Sequence, residues 1–203
     1  LDTHDGIGIV DVGPSELRPG EPGLLEAEQI DALVEAIHEA SGGASRRATG
    51  AAASNLDLYQ VNTTFYDALG RDDRRYLLAR LIQLMVPGIP LAGANDMELF
   101  GRTDVGRDVN RHYYTRDEIE LELERPVVAA QLAALRLRHE HPAFEGDFAS
   151  QLAKTRGVLN WTKVEGEGAH SVELRFDVAD GSFELRATGA AWPVLSHNSL
   201  VGG

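Results

Sequence analysis

Val172-Glu173-Leu174-Arg175-Phe176-Asp177-Val178 alternates apolar and charged residues without a break. A period of two is the pattern of a β-strand that buries one face and leaves the other in water. Asp180-Gly181 follows as a hairpin signal ahead of Phe183 and Leu185, and residues 158–164 supply another strand before it. The end of the chain, from about residue 144, therefore reads as a small antiparallel β module.

Upstream the period changes to that of a helix. Pro126 suits the first turn of a helix over 127–139, whose Val128, Ala129, Leu132 and Leu135 are expected to face a core. Thr115-Arg116-Asp117-Glu118 is a capping box ahead of Ile119, Leu121 and Leu123. Residues 72–85 form a second helix with Leu77, Leu78, Leu81, Ile82 and Met85 on one stripe, and Asp72 and Asp73 at the end where the helix dipole favours acids. A third helix spans 26–40, with Ile30, Leu33, Val34 and Ile37 inward and Glu28, Asp31, Glu35 and Glu39 outward, and it stops at Gly42-Gly43. Residues 13–23, with three prolines and three glycines, read as loop, and so do the small residues of 44–55.

The bulk composition excludes several classes. The 203 residues carry 19 Lys and Arg against 32 Asp and Glu, a formal charge of -13, and a field of that sign repels nucleic acid and anionic membranes. There is no cysteine, so no disulfide framework and no thiolate metal site is expected. The seven histidines are scattered, and His139 and His141 have no carboxylate at metal-ligand spacing, so no metal and no cofactor is expected. No apolar run approaches the roughly 20 residues of a membrane span, and the first residues have neither the basic nor the apolar part of a signal peptide. The expected location is the cytoplasm.

Three polar stretches are dense enough to carry chemistry. Thr3-His4-Asp5-Gly6 sets imidazole beside carboxylate, with Gly6 and Gly8 permitting close approach to the backbone. The same residues also fit a plain turn with a solvated Asp. Asn55-Leu56-Asp57-Leu58-Tyr59-Gln60-Val61-Asn62 offers carboxylate, phenol and amides that suit vicinal hydroxyls, and equally fits a helix cap with a buried tyrosine. Asn95-Asp96 with Gly106-Arg107-Asp108-Val109-Asn110-Arg111-His112-Tyr113-Tyr114 fits either an ion-paired corner or one rim of a polar pocket.

Leu1-Asp2-Thr3-His4-Asp5-Gly6-Ile7-Gly8, Ala53-Ser54-Asn55-Leu56-Asp57-Leu58-Tyr59-Gln60-Val61-Asn62 and Gly106-Arg107-Asp108-Val109-Asn110-Arg111-His112-Tyr113-Tyr114 resemble, in this order, the last third of bacterial sucrose phosphorylases, members of glycoside hydrolase family 13 in the alpha-amylase superfamily. The likeness runs from residue 1 to about 150. It implies an α/β fold, the C-terminal part of a (β/α)₈ TIM barrel with an inserted domain and a small antiparallel β domain after it. On that template residues 1–12 hold the end of barrel strand 7 and its catalytic-face loop, 13–67 the inserted domain, 68–143 the remaining barrel helices and 144–203 the β domain.

The resemblance also implies the chemistry: retaining glucosyl transfer from sucrose to inorganic phosphate, giving alpha-D-glucose 1-phosphate and fructose through a glucosyl-enzyme. Asp5 matches the carboxylate that stabilises the transition state, and His4 the donor to the same sugar face. Arg107 would grip the far hydroxyls of glucose, while Asp57, Tyr59 and Gln60 shape the acceptor side. The family's nucleophile and general acid/base lie upstream of the position matched by Leu1. The family also has an eighth barrel strand between Gly88-Ile89-Pro90 and Leu91-Ala92-Gly93, where here Pro90 joins Leu91 directly. The chain is thus expected to be an incomplete record of a longer enzyme rather than a truncated gene product, inactive by itself, with the inserted domain a candidate homodimer contact. Alternatives are phosphorylases for sucrose 6'-phosphate or glucosylglycerate, a related hydrolase, and an inactive carbohydrate-binding fragment.

Overall fold

A computed structural model describes residues 2–3, 6–9, 12–14, 20–50, 60–90, 103, 105–189, 191–192 and 194–200. The chain divides into two units, Leu1–Asp72 with Ala92–Arg116, and Asp73–Leu91 with Asp117–Gly203.

In the first unit β1 (Asp2–Thr3) and β2 (Gly6–Gly8) pair antiparallel, Thr3 opposite Gly6, and β3 (Gln60–Val61) joins the far edge of β2 with Ile7 opposite Val61. Only two residues connect Thr3 to Gly6. That span closes a hairpin but not the crossover of a dozen or so residues that parallel barrel strands need, so this ladder is not a barrel ladder. Gly6 has φ 116°, and a Cβ there would overlap the carbonyl of Val61, so glycine is what lets β3 come this close.

Helix α1 (Ala27–Ala40) starts with a reciprocal capping box in which the Glu26 amide donates to Gln29 Oε1 at 2.9 Å. Its Ile30, Val34 and Ile37 pack with Ile9 and Val61 as the core of the unit. Leu33, expected in that stripe, is exposed. The stretch read as loop over 44–55 contains a helix, α2 (Ala44–Thr49). Periodicity missed it because it is under two turns long and its buried side chain is the hydroxyl of Ser45 rather than an apolar group. A four-residue helix, α3 (Phe65–Ala68), follows β3, capped by Thr64, whose Oγ1 accepts from the Asp67 amide at 3.1 Å.

The second unit contains α4 (Asp73–Met85), most of α5 (Arg116–Leu123), α6 (Pro126–Glu140) and five strands, β4 (Asp147–Ala153), β5 (Arg156–Glu165), β6 (Gly168–Asp177), β7 (Ser182–Ala187) and β8 (Leu195–Ser196). The strands form an antiparallel meander in sequence order. Leu174 stands opposite Leu159 on one side and Leu185 on the other, all three buried, and Trp161 faces Val172. Trp161 also donates its Nε1–H to the Met85 carbonyl at 2.6 Å, tying the sheet to the end of α4.

Helix α6 begins at Pro126 as expected, but its buried face is Val127, Val128, Ala130, Gln131, Ala134 and Leu137, with Leu132 exposed. The expected phase is therefore wrong for Ala129 and Leu132, which are exposed, while Leu135 is half-buried. Small alanines let α4 close on α6, and Gln131 occupies a core position because Tyr76 donates to its Oε1 at 2.8 Å. Helix α5 starts directly after Thr115 but buries none of its residues, and Leu121 and Leu123 are exposed. The fold is mixed α/β with antiparallel sheets, and no closed barrel is seen among the described residues.

Candidate functional site

Of the residues that the sequence marks for chemistry, His4, Asp5, Asp57 and Tyr59 lie outside the described residues, as does the junction after Pro90 where the eighth barrel strand was expected. Gln60 opens β3, half-buried and opposite Gly8. Arg107 is the middle residue of a 3₁₀ turn, Gly106–Asp108, described for its backbone only.

The described framework nevertheless brings the three polar stretches together in the first unit. The first and second are joined by the ladder of β2 with β3. The second and third are joined by Asn110, whose buried Nδ2 donates to the Thr63 carbonyl at 2.9 Å, and by Gly106, where a Cβ would stand 2.6 Å from both the Ala48 carbonyl and the Asn62 Nδ2. The ends of segment 51–59 are joined in turn: Asn62 donates its amide to Thr49 Oγ1 at 3.0 Å and its Nδ2 to the Ala48 carbonyl at 3.4 Å. Asn62 and Asn110 stand in the sequence as candidate sugar or pocket-rim groups, and the structure shows each bonding a backbone carbonyl of a neighbouring segment. The amides in those polar stretches were the available signal, and reading 44–55 as loop hid Thr49.

A cleft of about 250 Å³ opens beside this framework, with Ser45, Arg47, Asn62, Thr63, Asp67 and Arg71 among its walls. Two of its charged groups, Asp67 and Arg71, are paired with each other. Asp67 is buried and accepts from Arg71 Nε at 2.7 Å, while Arg71 holds a left-handed backbone (φ 57°) with its amide bonded to the Tyr66 carbonyl at 2.9 Å. The remaining polar groups are the Arg47 guanidinium, an amide and hydroxyls, donors and acceptors of the kind that replace water around a polyol.

Beneath the cleft, His38, Ser41 and Ser45 form a buried chain. His38 Nδ1 lies 2.7 Å from Ser45 Oγ, Ser45 Oγ lies 2.8 Å from Ser41 Oγ, and Ser41 donates to the His38 carbonyl at 3.0 Å. Since Ser41 spends its proton on that carbonyl, every contact is satisfied only if Ser45 donates to Ser41 and His38 donates from Nδ1. Burial pulls the His38 pKa below its ordinary value, the Arg46 guanidinium adds to this, and Glu35 opposes it. Among the described residues no group of three or more His, Asp and Glu is placed to hold a metal ion, and no helix is long and apolar enough to cross a membrane.

No protein-family model matches the chain. Known proteins do. The chain is 57% identical over 169 residues to the sucrose phosphorylase of Agrobacterium vitis, covering 79% of this chain and 34% of that protein. It is 52% identical over 156 residues to the sucrose phosphorylase of Bifidobacterium adolescentis, covering 73% of this chain and 31% of that protein. Among solved structures, the sucrose 6F-phosphate phosphorylase of Thermoanaerobacter thermosaccharolyticum superposes with a TM-score of 0.68 at 30% identity, covering 97% of this chain and 40% of that one.

These matches support membership of the sucrose and related phosphorylases of glycoside hydrolase family 13, enzymes that transfer a glycosyl group to phosphate. Within that class the chain is similar to sucrose phosphorylase from Agrobacterium vitis, and it spans about a third of the length of such relatives.

Proposed function

We propose that the full-length protein is a sucrose phosphorylase, converting sucrose and inorganic phosphate to alpha-D-glucose 1-phosphate and fructose with retention. The observation that carries this reading is the meeting of the three polar stretches on one framework, in a chain 57% identical to a sucrose phosphorylase. The identities of 57% and 52% to two sucrose phosphorylases, against 40% and 33% to two sucrose 6(F)-phosphate phosphorylases, favour the unphosphorylated sugar. Asp57 argues the same way, since a carboxylate on the acceptor side suits neutral fructose and repels a phosphorylated one.

In the proposed mechanism a carboxylate supplied from upstream of Leu1 attacks the anomeric carbon, and a second upstream acid protonates the departing fructose oxygen. Asp5 accepts hydrogen bonds from vicinal hydroxyls of the glucosyl ring and strengthens them as the ring gains oxocarbenium character. His4 donates to the same face and Arg107 holds the far hydroxyls. Asp57, Tyr59 and Gln60 border the acceptor. A carboxylate that favours fructose disfavours phosphate, so this side has to present itself differently in the two half-reactions.

The test is a product assay on the full-length protein supplied with sucrose and phosphate. Glucose 1-phosphate as the main product is expected. Free glucose as the main product would make the protein a hydrolase, and turnover only with phosphorylated or glycerate-type acceptors would move it to a related phosphorylase.

A further inference from the structure

We propose that strand β4 is the surface on which a second copy of this protein docks: two β4 strands pair antiparallel about a twofold axis at Ser150, joining two five-stranded sheets into one. The inference is independent of the phosphorylase reading, and it places the contact in the second unit rather than on the inserted segment.

The sheet has two edges of different character. β8 closes one of them with only two residues, Leu195–Ser196. β4 forms the other with seven, in a register that runs from Asp147 opposite Thr162 to Ala153 opposite Arg156 without a bulge. Short strands, bulges, prolines and charged side chains are what keep an edge from pairing with another chain. β8 is guarded by its shortness. β4 has none of these devices between Phe148 and Ala153, and every residue from Ala149 to Ala153 is exposed.

The want at this edge is lateral. Ala149, Gln151 and Ala153 share one face of the strand and are small or polar, so water is a fit neighbour for that face. The row of N–H and C=O groups along the outer side of an edge strand, by contrast, is a template for another strand.

The side chains point to β4 itself as that strand. About a twofold axis the same patch serves both partners, and in an antiparallel pair the residues directly opposite each other lie on the same face. With Ser150 on the axis, Leu152, which is 71% exposed, stands opposite Phe148 of the second copy, and Ala149 stands opposite its Gln151. Each contact occurs twice, and no like charges meet.

The ends of the strand match in sign as well. Asp147 comes opposite Ala153 of the second copy and beside its Lys154, which lies in the turn between β4 and β5. Neighbouring charges are already paired, Arg156 with Asp177 and Lys163 with Glu145. Among the described residues neither Asp147 nor Lys154 makes an ion pair within its own chain. In a chain of formal charge -13, an edge with a neutral middle and ends of opposite sign is where two copies approach without repulsion. A single strand pair is smaller than a standard interface, so a Kd on the order of 10 μM is expected.

The experiment uses the full-length protein. Mass is followed by sedimentation from about 1 to about 100 μM, a range chosen to span that Kd. Ser150→Lys sets two ammonium groups face to face on the axis and should weaken association at least about tenfold, with the thermal midpoint unchanged because residue 150 is exposed. Asp147→Lys should weaken it about fivefold, and adding Lys154→Asp should restore it, since the swap rebuilds both ion pairs. Ser150→Cys should form a disulfide between copies on mild oxidation, because facing residues of an antiparallel pair have Cα atoms about 4.5 to 5.5 Å apart. Gln151→Cys, off the axis, should cross-link at least about tenfold less.

A protein that stays monomeric over the whole range overturns the proposal, and so does a dimer that Ser150→Lys leaves intact. Equal cross-linking at 150 and 151 overturns it too. If a thiol reagent fails to reach Ser150→Cys in the monomer, the protein's own chain covers the edge and the proposal falls.

Discussion

Among the described residues, nineteen of the twenty-six buried apolar side chains belong to the second unit, while seven of the ten buried polar ones belong to the first. The second unit is organised by continuous strand ladders and helix faces that bury Leu, Val and Trp. The first has a core of five residues, Ile9, Ile30, Val34, Ile37 and Val61, and relies on His38, Ser41, Ser45, Thr63, Thr64, Asp67 and Asn110 to fix where its short elements go. Apolar burial is strong but not directional, whereas a buried hydrogen bond adds little net energy yet penalises any arrangement that breaks it. The unit that carries the three polar stretches is accordingly the one specified by direction.

That contrast can be broken by substitution, and the largest effect should come from the second unit. Leu174→Ala removes a fully buried side chain flanked by Leu159 and Leu185, and is expected to cost about 3 kcal/mol in urea unfolding of the full-length protein. A loss below about 1 kcal/mol would mean that the sheet core is loosely packed.

Asp67→Ala probes the first unit. It takes away a buried acceptor of Arg71, but the Arg71 side chain is 53% exposed and regains water, so a smaller loss of about 1 to 2 kcal/mol is expected in the same measurement. A loss as large as that of Leu174→Ala would erase the distinction between the units.

The smallest effect is a pH dependence confined to the first unit. Because the folded state lowers the His38 pKa from 6.5, folding favours the neutral ring. The associated stability is fully present above the unfolded value and is lost as pH falls below 6.5 toward the lowered folded value. Thermal midpoints recorded from pH 8 to pH 5 should fall over that interval, and His38→Gln should flatten the fall. An unchanged slope in the variant would assign the acid sensitivity elsewhere.

The same contrast explains how much was legible in the sequence. Long elements with one apolar face announced themselves: α1, α4, the start of α6 at Pro126, and strands β5, β6 and β7 around the Asp180-Gly181 turn all lie where periodicity placed them. Helix α6 was found but turned on its axis, because alanines and Gln131 take the buried side and a periodicity reading follows leucines. Helix α2 was read as loop because its packing runs through hydroxyls.

Resemblance singled out Gln60 and Arg107, and the framework brings the backbone of their stretches together. The contact set of Thr49, Asn62 and Gly106 could not be read from the sequence. It joins residues far apart in the chain through amide, hydroxyl and an absent side chain, none of which leaves a periodic mark.

The central claim is that this chain supplies the carboxylate that steadies the glucosyl ring during transfer to phosphate. The most direct measurement is kcat/KM for phosphorolysis of sucrose by the full-length protein carrying Asp5→Asn. The account predicts a loss of about 10²- to 10³-fold, borne mainly by kcat, as expected when a group that binds the transition state more tightly than the substrate is removed. Activity within a few-fold of the parent would contradict it.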